Sequence, residues 1–119
     1  MKKLQSLSIV RDYHNSWTNK NFEKAGNLLA ENLEVIVSIN NYPTKQSFLD
    51  AVKFTRDMIS NIELLSEFSN ENEVMLMYDM TLNAFGKLRI AEYFVVKDDM
   101  IIQVCQIHDT AFFRNADNS

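Results

Sequence analysis

Leu88-Arg89-Ile90-Ala91-Glu92-Tyr93-Phe94-Val95-Val96 alternates with the two-residue period of a β-strand. Leu88, Ile90, Phe94 and Val96 share one face, and Glu92 interrupts that apolar row at its centre. Burying an unpaired charge is costly, so this carboxyl must be paired, protonated or turned toward a wet cavity.

On the C-terminal side of this strand, Lys97-Asp98-Asp99 makes a tight hairpin into a last strand from Met100 to Asp109. On its N-terminal side, Ala84-Phe85-Gly86 turns back to a strand from Val74 to Leu82, apolar on both faces apart from Asp79. Across a turn at Asn70-Glu71-Asn72, Ile62, Leu64 and Phe68 alternate with Glu63 and Glu67 in one further strand. Four consecutive strands on short loops predict an antiparallel meander, since parallel neighbours need long crossovers.

The first half of the chain has a different period. Leu7, Val10, His14 and Trp17 recur at spacings of 3, 4 and 3, with Ile9 and Tyr13 beside them, which predicts an amphipathic helix from residue 4 to about 18. Asn19-Lys20-Asn21 breaks it, and Asn21 is positioned to cap a short second helix that buries Phe22, Ala25, Leu28 and Leu29. The β-branched run Leu33 to Ile39 predicts a strand, Asn40-Asn41-Tyr42-Pro43 a turn, and Thr44 the cap of a third helix. That helix, Lys45 to about Ile59, places Phe48, Val52, Thr55 and Ile59 on one face. The expected fold class is α+β, one domain over residues 1–119, with three N-terminal helices (one strand between them) packed on a curved, mostly antiparallel sheet. The polar tail 114–119 is expected to fray.

Composition narrows the partners. The 119 residues carry a net charge of −4, and residues 61–119 alone hold 4 basic against 10 acidic side chains. The clustered Lys and Arg of a polyanion-binding surface are missing, so no nucleic acid is expected. Cys105 is the single cysteine and has no partner for a disulfide or a metal motif, which suits a reducing, cytoplasmic setting. Polar residues interrupt every apolar run before membrane-spanning length, so no membrane partner is expected. Gly-rich phosphate loops, nucleophile elbows and paired Cys/His spacings are absent, so neither a cofactor nor a metal is expected.

The hairpin register decides what Glu92 meets. A three-residue loop, Lys97-Asp98-Asp99, pairs Val96 with Met100 and sets Glu92 opposite Val104, Ile90 opposite Gln106, and Leu88 opposite His108. Glu92, Gln106 and His108 then share a face. A two-residue loop shifts the register by one and sends Gln106 and His108 to the other face. The three-residue loop is the expectation, since a type I turn closed by a left-handed residue suits Asp99. The catalytic candidates are Glu92, His108, Asp79 and Tyr13, and the ligand-binding candidates are Trp17, Val35, Val37, Met77, Phe94, Val104 and Gln106. Each has a plainer reading: His108 and His14 as packed histidines, Asp79 as a solvent-facing carboxylate, and Tyr13 and Trp17 as core aromatics.

Tyr13-His14-Asn15-Ser16-Trp17, Asn21-Phe22-Glu23-Lys24-Ala25 and Leu28 to Leu33 together resemble the opening of the SnoaL-like branch of the nuclear transport factor 2-like superfamily. Tyr78-Asp79, Ala91-Glu92-Tyr93-Phe94, Asp99-Met100-Ile101 and His108-Asp109 fit the same group, so the resemblance spans about residues 8–113. It implies a cystatin-like cone with a pocket between the concave sheet and the helices, and homodimers packed through the sheet. Among ketosteroid isomerases, which share this fold, the oxyanion-hole tyrosine falls at Tyr13 and the protonated carboxylic acid at Glu92. The general base of those enzymes falls near Val37, a residue that cannot abstract a proton. SnoaL-type cyclases are thought to use an acid deep in the cavity, for which the resemblance offers Asp79, Glu92 or Asp109.

Three functions compete. The first is a binding module for an apolar or amphipathic small molecule. The second is an isomerase, cyclase or dehydratase in which Glu92 acts with His108 or Asp79 and Tyr13 orients the substrate. The third is a non-catalytic dimerisation scaffold. The fold hosts all three, so the site has to discriminate.

Overall fold

The computed structural model describes residues 2–38 and 40–109. Ile39 and the 114–119 tail, for which strand and frayed ends are expected, lie outside the described residues. Elements run α1 (Lys2–Thr18), α2 (Phe22–Asn27), β1 (Leu29–Ile36), α3 (Lys45–Asp57), β2 (Ile59–Ser69), β3 (Glu73–Leu82), β4 (Gly86–Lys97) and β5 (Met100–Ile107). The five strands form one curved sheet in the order β1-β5-β4-β3-β2, with β1 parallel to β5 and every other pair antiparallel. The helices cover its concave face.

Helix boundaries follow from their caps. The Asn21 side chain accepts from the Lys24 amide at the start of α2. Thr44 and Ser47 form a reciprocal capping box on α3, each side chain bonded to the other's backbone amide. α1 closes with Lys20 N–H on the Trp17 carbonyl and Asn21 N–H on the Ser16 carbonyl, and Lys20 sits at φ 67°. This is the double bond pattern of a left-handed helix stop, with lysine where glycine is usual. Arg56 of α3 donates to the Thr18 carbonyl at 2.7 Å and so ties the end of α1 to α3.

α2 is shorter than its apolar stripe predicts. Leu28 is its C-cap and Leu29 already belongs to β1, which runs 29–36 rather than 33–39. Leu29 is fully buried in either role, and Ile101 N–H bonds the Leu28 carbonyl, so pairing with β5 takes the residue from the helix.

Two bulges set which side chains face the core. In β2 the register shifts between Leu64 and Ser66, so Glu67 falls opposite the buried Leu76 and Phe68 opposite Met75 on the convex face. Phe68 is therefore 70% exposed rather than aligned with Ile62. In the last hairpin, Lys97 pairs with Met100, leaving a two-residue loop of Asp98 (φ 52°) and Asp99 (φ 64°). Positive φ at both central residues is what a type I′ turn requires, and it matches the strand twist better than the expected three-residue loop. One further residue, Ile102, is then inserted between the pairs Val96–Ile101 and Val95–Gln103. The two departures cancel in parity. Glu92 opposes Gln106, not Val104, and Phe94 opposes Val104.

Candidate functional site

The concave face of β3 and β4 presents Leu76, Tyr78, Met80, Leu88, Ile90, Glu92, Phe94 and Val96, all buried. Against this face α1 lays Val10, Tyr13, His14 and Trp17. Where α1, α3 and the sheet diverge, a cavity of ≈ 360 Å³ remains. That volume falls within the range of small-molecule pockets. α1 contributes Tyr13 and Trp17 to it, and α3 contributes Phe48, Ala51, Val52, Phe54 and Thr55. Tyr78, Met80, Leu88, Ile90, Glu92, Gln106 and His108 line it from the sheet side, with Asn40, Tyr42 and Met58 from the connections. None of these residues is lysine or arginine.

Glu92 is 1% exposed, and both its oxygens are engaged. Tyr78 Oη donates to Oε1 at 2.9 Å, and Gln106 Nε2 lies 2.8 Å from Oε2. Burial pushes the carboxyl above its ordinary range, while the Gln106 and Tyr78 hydrogen bonds pull in the opposite direction, with a net upward shift. Tyr78 is itself fully enclosed and held well above the usual phenol range, by desolvation first and the neighbouring Glu92 second.

Tyr13 is fully buried, and its hydroxyl has no hydrogen-bond partner among the described residues. Its edge meets the Phe94 ring at 5.9 Å between centroids. Desolvation and then Glu92 hold its hydroxyl in the protonated form. An enclosed donor on the wall of a cavity is able to donate to an acceptor placed there. His14 lies behind the wall. Its ring packs 4.9 Å from Tyr78 and 5.5 Å from Trp17, its Nδ1 has no partner among the described residues, and desolvation lowers its pKa to about 4.

The structure thus brings Tyr13, Trp17, Glu92, Gln106 and His108 to one cavity. Other candidates lie elsewhere. Asp79 points to the convex face, where it is the cross-strand neighbour of Arg89 and takes a two-pronged ion pair from it at 2.8 and 3.0 Å. The arginine covers the carboxylate and, through those hydrogen bonds, lowers its pKa. Asp79 has no access to the cavity. Met77, two residues earlier in β3, does not line the cavity either; it pairs with Ala91 on that convex face. Phe94 and Val104 are 0% exposed and fill the core beyond the cavity. Val35 packs beside Val104 in the β1–β5 pair, and Val37 lies past the end of β1, so neither lines it.

Tyr78 was not a sequence candidate. The sign of it was its parity with Leu76 and Met80 on β3, which becomes useful only once the β3–β4 register is known: Tyr78 opposes Ile90 and reaches Glu92 diagonally.

No protein-family model and no curated protein matches the sequence. Solved structures do match. A protein of Kribbella flavida superposes with a TM-score of 0.88 over 95% of this chain and 93% of its own, at 23% identity. An NTF2-like protein of Cytophaga hutchinsonii gives 0.79 over 92% and 94%, at 14% identity. This is the nuclear transport factor 2-like fold. A candidate SnoaL-like polyketide cyclase from Jannaschia sp. also superposes, with a TM-score of 0.80 over 97% and 92% of the two chains at 10% identity. Within this fold the cavity occupies the space between sheet and helices, with Glu92 on its sheet wall.

Proposed function

We propose that this chain binds a neutral, largely apolar small molecule in the cavity, with its polar end toward Tyr13 and the Glu92–Gln106 pair. The observation that carries this reading is Glu92, enclosed on an aromatic wall with both oxygens hydrogen-bonded and no basic side chain beside it. A pocket built this way, with no lysine or arginine on its wall, disfavours anions and favours ligands that offer a hydrogen-bond acceptor. Trp17 lines the cavity and is the chain's single tryptophan, so its fluorescence reports occupancy. Titration with naphthalene and with 1-naphthoate tests the reading. Saturable quenching by naphthalene with at least tenfold weaker binding of the anion is expected, and equal or stronger anion binding contradicts it.

A second reading, an acid–base enzyme, draws support from His108 lining the same cavity as Glu92. In that reading Glu92 donates a proton or hydrogen bond while His108 accepts one. It requires that Glu92→Gln and His108→Asn each abolish turnover while leaving ligand affinity within a few-fold. The candidate cyclase among the structural neighbours lends it a precedent of fold only.

The proposal extends to a homodimer through the convex face of the sheet. Phe68, Met75 and Ile107 are exposed there beside Met77, Tyr93, Val95 and Cys105, forming an apolar surface of the kind that marks protein–protein contacts.

A further inference from the structure

The hydrogen bond between Gln106 and Glu92 has two possible polarities, and they show a ligand opposite faces. Gln106 is half-buried and lines the cavity, so its amide has room to rotate; Tyr78, fully enclosed, has Glu92 as its one hydrogen-bond partner among the described residues. When Glu92 is ionised, Gln106 Nε2 must donate to Oε2, and the amide carbonyl is left for the cavity. A proton on Glu92 belongs on Oε2. On Oε1 it would oblige Tyr78 to turn its hydroxyl hydrogen away from its one acceptor, in a place where a lost hydrogen bond is costly. With Oε2 protonated, the 2.8 Å contact becomes O–H donating to the Gln106 carbonyl, and the amide rotates to present N–H to the cavity.

We propose that Gln106 is the ligand-selecting residue of this cavity, and that the proton on Glu92 sets whether its amide offers the ligand a donor or an acceptor. The inference rests on the proposed binding function and names its ligand class. With Glu92 neutral, the amide N–H of Gln106 and the unpartnered hydroxyl of Tyr13 are both donors, which suits the two lone pairs of a ketone, quinone or lactone carbonyl. With Glu92 ionised, one donor and one acceptor face the cavity, which suits an alcohol. Carbonyl-bearing apolar compounds are the ligands, and they are released in favour of hydroxyl compounds as Glu92 loses its proton. Gln106 acts here as a positioning and selecting group, not as an acid or base.

The other titratable groups that line the cavity with this pair are Tyr13 from α1, Tyr42 from the β1–α3 connection, Tyr78 from β3 and His108 just after β5; α3 contributes none, and His14 of α1 packs behind Tyr78. His108 is the one imidazole that lines the cavity, and it needs its own control.

The test uses three probes of one skeleton: naphthalene, 2-acetylnaphthalene and 1-(2-naphthyl)ethanol, titrated against Trp17 fluorescence from pH 4 to 9. The ketone is expected to bind about tenfold more tightly than the alcohol at the acid end, and this ratio is expected to fall toward or below one as Glu92 ionises. Glu92→Gln, which carries a permanent donor toward Gln106, is expected to keep the ketone preference flat with pH. Gln106→Leu is expected to remove the preference while naphthalene still binds; a pH dependence that disappears in His108→Asn would assign it to the imidazole and overturn the proposal. A ketone-to-alcohol ratio independent of pH in the wild type overturns the proposal, as does an unchanged pH profile in Glu92→Gln or Gln106→Leu. Failure of naphthalene itself to bind overturns the binding reading, and this inference with it; pH-independent binding of all three overturns the inference alone.

Discussion

Two buried residues that both meet Tyr78, His14 against its ring and Glu92 at its hydroxyl, have pKa values shifted in opposite directions. His14 has a folded pKa of about 4 against 6.5 for the unfolded chain, so the unfolded state gains its proton first as pH falls. Stability is therefore lost between about pH 6.5 and pH 4. With those two values, the loss from pH 7 to pH 5 is about 2 kcal/mol. Glu92 works the other way: its folded pKa lies above the unfolded one, so its contribution is present in acid and declines as pH rises through the folded value. His14→Phe is expected to make stability at pH 5 close to that at pH 7, measured by urea unfolding at both. An undiminished acid loss in that variant would show that some other group carries it. Asp79→Asn provides a contrast, because its carboxylate serves Arg89 on the convex face. Naphthalene affinity in Asp79→Asn is expected to match the wild type, and a large loss would return Asp79 to the cavity.

At the scale of elements, the stop of α1 departs from ideal geometry. Lys20 holds a left-handed backbone that glycine adopts without steric cost. Lys20→Gly is expected to stabilise the chain by about 0.5–1 kcal/mol, a rise of a few degrees in Tm by calorimetry; a lower Tm would contradict the helix-stop assignment. The elements themselves were legible in the sequence because their signals are local: the 3-and-4 spacing of Val10, His14 and Trp17, the caps Asn21 and Thr44, and the alternation around Glu92. Register was not, because it depends on pairing. Nothing local distinguishes Ile102 from its neighbours as the inserted residue, or marks the shift near Leu65 that turns Phe68 outward. Glu92, Gln106 and His108 share the cavity because a shorter turn and a bulge cancel, not through the loop expected from sequence. For the same reason the sequence alone places Met77, Val35 and Val37 on the cavity wall. Their apolarity is generic, and only the pairing of β1 and β3 removes them.

For the whole molecule, the sheet separates two surfaces of different character: a concave side that encloses the cavity and a convex side with exposed apolar groups. Met75 and Ile107 are 39% and 57% exposed in the single chain, so charges there are tolerated by the monomer and not by a packed interface. Sedimentation at micromolar concentration is expected to give a dimer for the wild type and a folded monomer for Met75→Glu/Ile107→Glu; a monomeric wild type would contradict the interface. The cavity side depends on one charge state. Under the proposed binding function, a neutral Glu92 suits the concave wall to carbonyl-bearing ligands, and an ionised one to alcohols. The direct measurement is a 13C NMR titration of the Glu92 side-chain carboxyl in the intact protein, assigned by its absence in Glu92→Gln. The account predicts ionisation displaced above the ordinary glutamate value of 4.5, with the protonated signal persisting where solvent-exposed glutamates have already ionised. A midpoint at or below 4.5 would contradict it.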